Sequence, residues 1–338
     1  MHLSRFPRRG HVNTPTPIEF AANLTELLGG PQIYIKRDDL LPGAGGGNKT
    51  RKLDFCIADA LQQGADTLIT CGAVQSNHCR LTLGWAAKEG LRCRLVLEER
   101  VPGSYKPEAS GNNFLFHLMG VDKVTVVPGG SNMGEAMEEA AENARKQGLK
   151  PYIIPGGASN PLGALGYVSC AMEMLGQLFE MKLDLDHVVV PSGSAGTHAG
   201  MLTGLWGANT GLPVSGVNVS RTKADQEALV HGLTGKLADT LGLRSATPAK
   251  EVVCYDQYVG PGYSLPTDSM VEAVSILAKT EAILLDPVYS GKAMAGMIDL
   301  IRKSVFSKGQ KILFLHTGGS PALYAYLDTF RHQGPAKA

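Results

Sequence analysis

The sequence predicts an α/β fold built on parallel sheets. Short apolar runs, such as residues 67–71 and 188–190, alternate with segments in which apolar residues recur at helical spacing. Strands connected through helices pair in parallel, and the helices cover both faces of their sheet. This alternation runs to residue 154 and starts again with a helix at residue 161. The 338 residues therefore form either two domains or one large α/β domain with an insertion.

The individual elements follow from the same spacing. The first helix begins at Lys49, repeats apolar residues such as Leu53 and Ile57 at helical spacing, and ends at Gly64. Later helices are predicted at residues 76–89, 112–119, 133–147, 161–179, 197–209, 223–241, 268–280 and 292–303. Each strand is a short apolar run bounded by turn residues. Strands are predicted at residues 33–35, 67–71, 93–97, 124–127, 152–154, 188–190, 214–219 and 312–315.

The composition points to small-molecule chemistry. Hydrophobic residues make up 43% of the chain, which is enough to fill real cores. The 32 basic and 31 acidic residues nearly cancel and form no stripe, so the chain has no electrostatic footprint for nucleic acid. No stretch of about 18 residues is apolar and free of charge, which argues against a membrane partner.

The cysteines and the N-terminus predict a cytoplasmic protein. The six cysteines are scattered, and no pair has CxxC or zinc-ligand spacing. We expect small buried thiols in a reducing compartment and no metal site. Residues 1–17 carry three arginines without an apolar segment behind them, so they do not resemble an export signal.

Lys49 stands between a glycine run and the first helix, in the sequence GAGGGNKTRK of residues 43–52. Three interpretations are open. A P-loop would wrap a phosphate, but it requires glycine where Asn48 stands. A flexible surface loop would leave Lys49 as a solvated charge, the commonest state of a lysine. A catalytic lysine would have its neutral amine favoured by the helix dipole and by Arg51 and Lys52, as a Schiff base requires.

Two loops between a strand and a helix offer sites for anions. Residues 192–197, SGSAGT, present backbone N–H groups and hydroxyls to a phosphate, although a tight turn alone also explains the glycines. Without GxGxxG and a ribose-binding acid, a small phosphorylated cofactor fits better than a dinucleotide. In residues 75–78, Ser76 and Asn77 either bind the carboxylate of an amino acid or merely cap the helix. His78 by itself is more typical of a structural role.

Two further loops, residues 285–291 and 316–319, lie at predicted strand ends, where open α/β sheets bind ligands. Tyr289 and Tyr263 are candidates for proton transfer, although a tyrosine in such a turn often only packs. One lysine, a phosphate site, a carboxylate site and nearby hydroxyls together predict an aldehyde-cofactor enzyme acting on an amino acid. A catalytically silent amino-acid-binding protein is the alternative class.

Several long motifs occur in a collinear order over nearly the whole chain. They are FPR at Phe6, PTP at Pro15, IKRDD at Ile35, GGNKTRKL at Gly46, QSNH at Gln75, KPYIIPGGASNPLGALGY at Lys150, SGSAGTHAG at Ser192, LLDPVYSGKAMAG at Leu284 and HTGG at His316. On these motifs the chain resembles the D-cysteine desulfhydrase and 1-aminocyclopropane-1-carboxylate deaminase family of pyridoxal-phosphate enzymes. It is most similar to the D-cysteine desulfhydrase branch.

The resemblance implies the tryptophan synthase β-like fold, also called fold type II. Such enzymes have two open twisted parallel-sheet domains with helices on both faces. The large domain would comprise residues 1–52 and 161–338, and the small α/β domain would be inserted as residues 53–160. The resemblance also implies pyridoxal 5′-phosphate in the cleft and a homodimeric assembly.

The resemblance implies a role for each site residue as well. Lys49 would form the Schiff base, and Asn77 would contact the ring hydroxyl. The phosphate would be held by Gly193, Ser194, Ala195, Gly196 and Thr197, and the hydroxyls beside the ring nitrogen would come from Ser290 and Thr317. The substrate carboxylate would be received by Ser76, Asn77 and His78, with Tyr263 and Tyr289 flanking the reacting group. The catalytic set would be Lys49, Ser76, Tyr263 and Tyr289.

Two positions bear on the substrate. Deaminases of the family are expected to carry glutamate and leucine where Ser290 and Thr317 stand. A hydroxyl would not hold a proton on the pyridine nitrogen of the cofactor as a carboxylate could. The cofactor ring should therefore be a weaker electron sink, which β-elimination tolerates.

We therefore predict β-elimination of D-cysteine to pyruvate, hydrogen sulfide and ammonia, with Lys49 removing the Cα proton. The main alternative is L-cysteate, which releases sulfite and needs a positive charge for its sulfonate. The site loops offer only Arg80 for that. Deamination of 1-aminocyclopropane-1-carboxylate and phosphotransfer by a P-loop are less favoured.

Overall fold

The computed structural model describes residues 1–331. Its strands are β1 (Ile18–Phe20), β2 (Gln32–Arg37), β3 (Thr67–Ala73), β4 (Arg92–Glu99), β5 (Lys123–Pro128), β6 (Pro151–Ile154), β7 (His187–Ser192), β8 (Val214–Asn218), β9 (Val253–Tyr255) and β10 (Lys311–His316). Its α-helices are α1 (Ala22–Leu28), α2 (Lys49–Gln62), α3 (Asn77–Lys88), α4 (Asn112–Leu118), α5 (Met133–Arg145), α6 (Pro161–Met181), α7 (Gly196–Gly207), α8 (Lys223–Leu241), α9 (Asp268–Glu281), α10 (Ser290–Arg302) and α11 (Leu327–Arg331).

The strands form two sheets. The larger sheet has six strands in the order β1-β2-β10-β7-β8-β9, and the smaller has four in the order β5-β4-β3-β6. All neighbouring strands pair in parallel except β1, which pairs antiparallel with β2. The predicted α/β class with two parallel sheets is confirmed. The prediction lacked β1 and β9, which have three residues each, and α1 and α11, which have seven and five, because such short elements show no clear periodicity.

The two sheets divide the chain in an interleaved way. All four strands of the smaller sheet lie between Thr67 and Ile154, whereas the larger sheet takes strands from both sides of this segment. An insertion at residues 53–160 would produce this order, and the boundary itself stays a prediction. The loops that follow β3, β7 and β10 line one common cavity. The topology thus brings segments more than 100 residues apart to the carboxyl ends of the strands, where such sheets bind ligands.

Helix α6 is a core helix that packs against α2 and α7. By length and composition it could cross a membrane, but 56% of its apolar window is buried inside the protein. Glycines bring these three helices close together. A Cβ added at Gly166 would lie 2.3 Å from the Arg51 carbonyl oxygen, and one at Gly200 would lie 2.5 Å from the Ala164 oxygen. Close packing on α6 therefore fixes both α2 and α7, whose first residues lie at the cavity.

A buried ion cluster fixes α2 to the larger sheet. The Arg51 guanidinium donates two hydrogen bonds of 2.8 Å to the Asp38 carboxylate, and its third nitrogen lies 2.8 Å from Glu173 of α6. The Tyr167 hydroxyl also donates to Asp38, at 2.5 Å. Burial is the largest single effect and would raise the pKa of Asp38, but the charges of Arg51 and Lys36 and the hydrogen bonds from Arg51 and Tyr167 together hold that pKa below its usual value. The cluster is thus a neutralised, fully hydrogen-bonded unit.

Substituting Arg51→Met should destabilise the protein strongly, because it leaves the buried Asp38 carboxylate without its counter-charge. We expect the free energy of unfolding in urea to fall by about 3–5 kcal/mol. The control is Arg302→Met, which removes an exposed pair with Glu272 and should change stability little. Equal losses in the two variants would contradict a special role for the cluster.

Candidate active site

A cavity of about 1000 Å³, its open mouth included, lies at the carboxyl ends of β3, β7 and β10. Most of the predicted site residues line it. They are Lys49, Ser76, Asn77, His78, Gly193, Ser194, Ala195, Thr197, Tyr263, Tyr289 and Thr317. The two other predicted residues, Gly196 and Ser290, are buried and do not belong to its lining. The structure therefore brings predicted residues from six separate segments of the chain to one cavity.

Lys49 is the first residue of α2 and is only 9% exposed, so the interpretation as a solvated surface lysine is wrong. Its Nζ donates a 3.1 Å hydrogen bond to Asn48 Oδ1. Burial lowers the pKa of Lys49 to about 8, opposed by the Asp286 carboxylate and assisted by Arg80. The sequence correctly predicted that the Lys49 pKa is lowered. Arg51 is not the cause, because Asp38 and Glu173 neutralise its charge.

A second lysine lies behind the loop between β7 and α7, which is the predicted phosphate site. Lys52 is fully buried, and its Nζ contacts the Gly157 carbonyl oxygen at 3.1 Å and Ser159 Oγ at 3.4 Å. Within residues 1–331 it has no carboxylate partner. Burial and the nearby Lys49 hold its pKa well below the usual value. Such an amine fits a bound phosphate, which would supply the missing counter-charge.

The glycine at position 196 leaves the room that this site needs. A Cβ there would lie 2.7 Å from Lys52 Nζ and 2.8 Å from Ser159 Oγ. On the other side, Asn48 Nδ2 donates a 3.0 Å hydrogen bond to Thr197 Oγ1. Sequence reasoning treated Lys52 only as a neighbouring charge. Lys52 lies three residues after Lys49 and therefore on the same face of α2, and this spacing could have indicated that both lysines belong to one site.

The start of α3 forms the second predicted anion site. Ser76 caps the helix, because its Oγ accepts a 3.1 Å hydrogen bond from the Cys79 N–H, and it also lines the cavity. His78 Nε2 lies 2.7 Å from Thr70 Oγ1, and burial, Lys49 and Lys52 together lower the pKa of His78 well below its usual value. A capped helix start beside a neutral histidine offers N–H donors to a carboxylate.

Two tyrosines close the opposite wall. The hydroxyls of Tyr263 and Tyr289 are 2.7 Å apart, and Lys49 Nζ lies 5.7 Å from the centre of the Tyr289 ring. Burial raises the pKa of both tyrosines, so both are protonated near neutral pH. Arg100 stacks on Tyr263, with Cζ 4.2 Å from the ring centre, and its Nε donates to Glu98 at 2.6 Å. Arg100 and Glu98 line the cavity and were not predicted.

The turn that carries Tyr263 is tied to α10. Lys292 is buried, and its Nζ donates to the carbonyl oxygens of Val259 and Gly262 at 2.7 and 2.8 Å. Because α10 begins directly after Tyr289, this contact holds the two tyrosines in register. A buried carboxylate organises the same region.

Asp286 accepts hydrogen bonds from the N–H groups of Val288, Tyr289 and Ser290 at 3.0, 3.1 and 2.8 Å. The Ser290 hydroxyl donates to Asp286 at 2.8 Å as well, so it is occupied within the protein. Thr317 lines the cavity, and its carbonyl oxygen accepts from the Asn48 N–H at 3.0 Å. The contacts predicted for Ser290 and Thr317 beside a ring nitrogen stay predictions.

A profile of the family described as pyridoxal-phosphate dependent enzymes matches residues 11–318. The chain belongs to this family. A solved structure described as an ACC deaminase homologue is 37% identical and superposes with a TM-score of 0.88, over 97% of this chain and 96% of that chain. A fungal L-serine ammonia-lyase from Rhizomucor miehei is 22% identical, with a TM-score of 0.67 over 95% and 98% of the two chains, and shows the shared fold.

The cofactor is therefore pyridoxal 5′-phosphate, as predicted, and the fold is that of the fold-type-II enzymes. The cavity fits this group. The loop of residues 193–197, with Lys52 behind it, would hold the phosphate, and the Lys49 amine would reach the aldehyde. The 37% identity to the ACC deaminase homologue agrees with the family that the sequence motifs suggested.

Covalent attachment of pyridoxal 5′-phosphate to the cofactor-free protein should accelerate as the pH rises. Only a neutral amine attacks an aldehyde, so the midpoint should lie near the Lys49 pKa of about 8. Borohydride trapping followed by peptide mass spectrometry measures the rate and the site. Lys49→Ala should label at no pH, and a midpoint near the 10.5 of an ordinary lysine would contradict the effect of burial.

Proposed function

We propose that this enzyme catalyses β-elimination from a small amino acid with a sulfur substituent on its β-carbon. The preferred candidate substrate is D-cysteine, which would yield pyruvate, hydrogen sulfide and ammonia. The observation that carries the proposal is the buried Lys49 amine, with a pKa of about 8, in one cavity with a helix start and two protonated tyrosines. These supply a base, a carboxylate site and a proton donor.

The residues divide the reaction between them. Bound pyridoxal phosphate supplies electron withdrawal from the α-carbon of the amino acid joined to it. The start of α3, at Ser76 and Asn77, binds the substrate carboxylate and so orients the Cα–H bond. The neutral Lys49 amine removes the Cα proton. The electron pair left on Cα forms a Cα=Cβ double bond as the Cβ–S bond breaks and its electrons leave with the sulfur, which takes a proton from the Tyr289 hydroxyl, backed by Tyr263. Water completes the conversion to pyruvate and ammonia.

A specific observation favours L-cysteate as a second candidate. Arg100 and Arg221 both line the cavity, whereas Arg80, the arginine that the sequence analysis considered for the sulfonate, is fully buried outside the lining. Arg221 Nη1 donates to the Gly193 carbonyl oxygen at 2.8 Å and so supports the phosphate loop. Arg100 lies beside the tyrosines, where a β-substituent would point, and its guanidinium suits a sulfonate.

A cytoplasmic homodimer is also part of the proposal. All six cysteines are buried free thiols, as a reducing compartment would maintain. The dimer is carried over from the family resemblance alone. Sedimentation of the loaded enzyme measures its mass directly.

A substrate panel tests the proposed reaction. The loaded enzyme should release pyruvate and sulfide from D-cysteine, and Lys49→Ala should lose this activity together with the visible absorption of the attached cofactor. L-Cysteine, L-cysteate and 1-aminocyclopropane-1-carboxylate are assayed beside it for pyruvate, sulfite and 2-oxobutyrate. Turnover of the cyclopropane substrate alone would refute elimination, and release of sulfite alone would establish the second candidate.

Arg100→Met separates the two sulfur substrates. If Arg100 binds a sulfonate, kcat/KM for L-cysteate should fall by about ten- to a hundredfold, the cost of one lost hydrogen bond to a charged group. D-Cysteine should lose much less, because its thiol carries no fixed charge. Arg100→Lys keeps the positive charge and should restore most of the L-cysteate activity. Equal losses for both substrates would mean that Arg100 only supports Tyr263.

A further inference from the structure

The side-chain amide of Asn77 has two ends in different surroundings. Its Oδ1 accepts a 2.8 Å hydrogen bond from Asn112 Nδ2. Its Nδ2 donates to no group of residues 1–331 and lies beside Gly319, where an added Cβ would be 2.4 Å from it. Because Asn77 lines the cavity, this leaves an unused N–H donor at the site. Turning the amide by half a revolution would present a carbonyl acceptor there instead.

Asn112 determines which end faces the cavity. It is fully buried at the start of α4, and its Nδ2 also donates to the Gln75 carbonyl oxygen at 2.9 Å. A backbone carbonyl can only accept, so the nitrogen of the Asn112 amide must be the atom at this position. That same nitrogen faces Asn77, which must therefore present its oxygen to Asn112 and its nitrogen to the cavity.

Hydrogen bonds to the Asn112 backbone and side-chain nitrogen hold the residue in place, while its Oδ1 is buried without a partner among residues 1–331. Its backbone N–H donates to Gln75 Oε1 at 2.8 Å, and Gln75 Nε2 donates to the Ser110 carbonyl oxygen at 2.8 Å. The Asn112 side chain cannot turn without losing both of its own hydrogen bonds in a buried site, which is costly. The orientation of Asn77 is thus fixed from outside the cavity.

We propose that Asn112 is a positioning residue that holds Asn77 with its N–H group toward the ring hydroxyl of bound pyridoxal phosphate. The inference rests on the cofactor and on the expected contact of Asn77 with that hydroxyl, and it is independent of which amino acid reacts. A donor at this place favours the ionised ring oxygen over the protonated one. An acceptor there has the opposite effect.

Asn112→Asp tests the proposal, because a carboxylate of the same shape accepts from Asn77 and so turns its amide. In the loaded full-length enzyme, the long-wavelength absorption band should lose intensity to a near-ultraviolet band. The dissociation constant for pyridoxal phosphate should rise about tenfold, as expected for one misdirected hydrogen bond. The matched control is Asn113→Asp. Asn113 is equally buried, but its side chain binds the carbonyl oxygens of Lys106 and Pro107.

A cofactor analogue without the ring hydroxyl separates positioning from general damage. The Asn112→Asp penalty in affinity should vanish for 3-deoxypyridoxal 5′-phosphate, whereas a merely structural defect would weaken both compounds equally. Asn112→Ala frees Asn77 to turn, so its affinity for pyridoxal phosphate should fall less, with the same dependence on the ring hydroxyl. This variant replaces Asn112→Asp if the aspartate variant does not fold. A folded variant with unchanged spectrum and affinity, or an equal penalty for both compounds, overturns the proposal. No amino acid is present in these measurements, so their failure is distinct from failure of the elimination assay.

Discussion

The buried ion pair between Arg51 and Asp38 is the interaction on which the position of Lys49 depends. Asp38 follows β2 of the larger sheet, and Glu173, the second partner of Arg51, belongs to α6. The cluster therefore joins α2 to the sheet and to the core helix only two residues from Lys49. It also absorbs the charge of Arg51, and the reactivity of the Lys49 amine consequently follows from its burial.

Helical geometry explains how three basic side chains in one short segment come to have different roles. Lys49 and Lys52 are three residues apart, so they lie on one face of α2. Lys49 lines the cavity, and Lys52 lies behind its wall, against the Gly157 carbonyl oxygen. Arg51 projects to another face, where it meets carboxylates. Two lysines that have no carboxylate partner among residues 1–331 suit an aldehyde and a phosphate, whereas a paired arginine suits a structural role. The helical period alone therefore directs Lys49 and Lys52 to one face of α2 and Arg51 to another.

Most of the fold and much of the site could be predicted from the sequence because both are written in local patterns. The alternation of strands and helices, the glycine loops after β7 and before α2, and the residues at the start of α3 are local signals. Lys49 was identified from its neighbours, and the resemblance of long motifs supplied the family. Local patterns also explain why every predicted helix was found.

The remaining features arise from contacts between distant segments. Arg100 stands in an unremarkable turn after β4 and gains importance only because the fold brings Tyr263 beneath it, 163 positions along the chain. The role of Asp286 as acceptor for three backbone N–H groups is likewise a property of the folded turn. The edge strand β1 exists because it pairs with β2, and three residues carry no periodicity of their own.

The stacking of Arg100 on Tyr263 connects the two sheets at the cavity. Arg100 follows a strand of the smaller sheet, whereas Lys292 ties the turn of Tyr263 to a helix that packs on the larger sheet. A rotation that moved the two sheets apart would separate the Arg100 guanidinium from the Tyr263 ring, whereas Tyr263 and Tyr289 would move together. The contact therefore joins the two sheets across the cavity, and the attraction between the guanidinium and the ring, about 0.5–2 kcal/mol, opposes their separation.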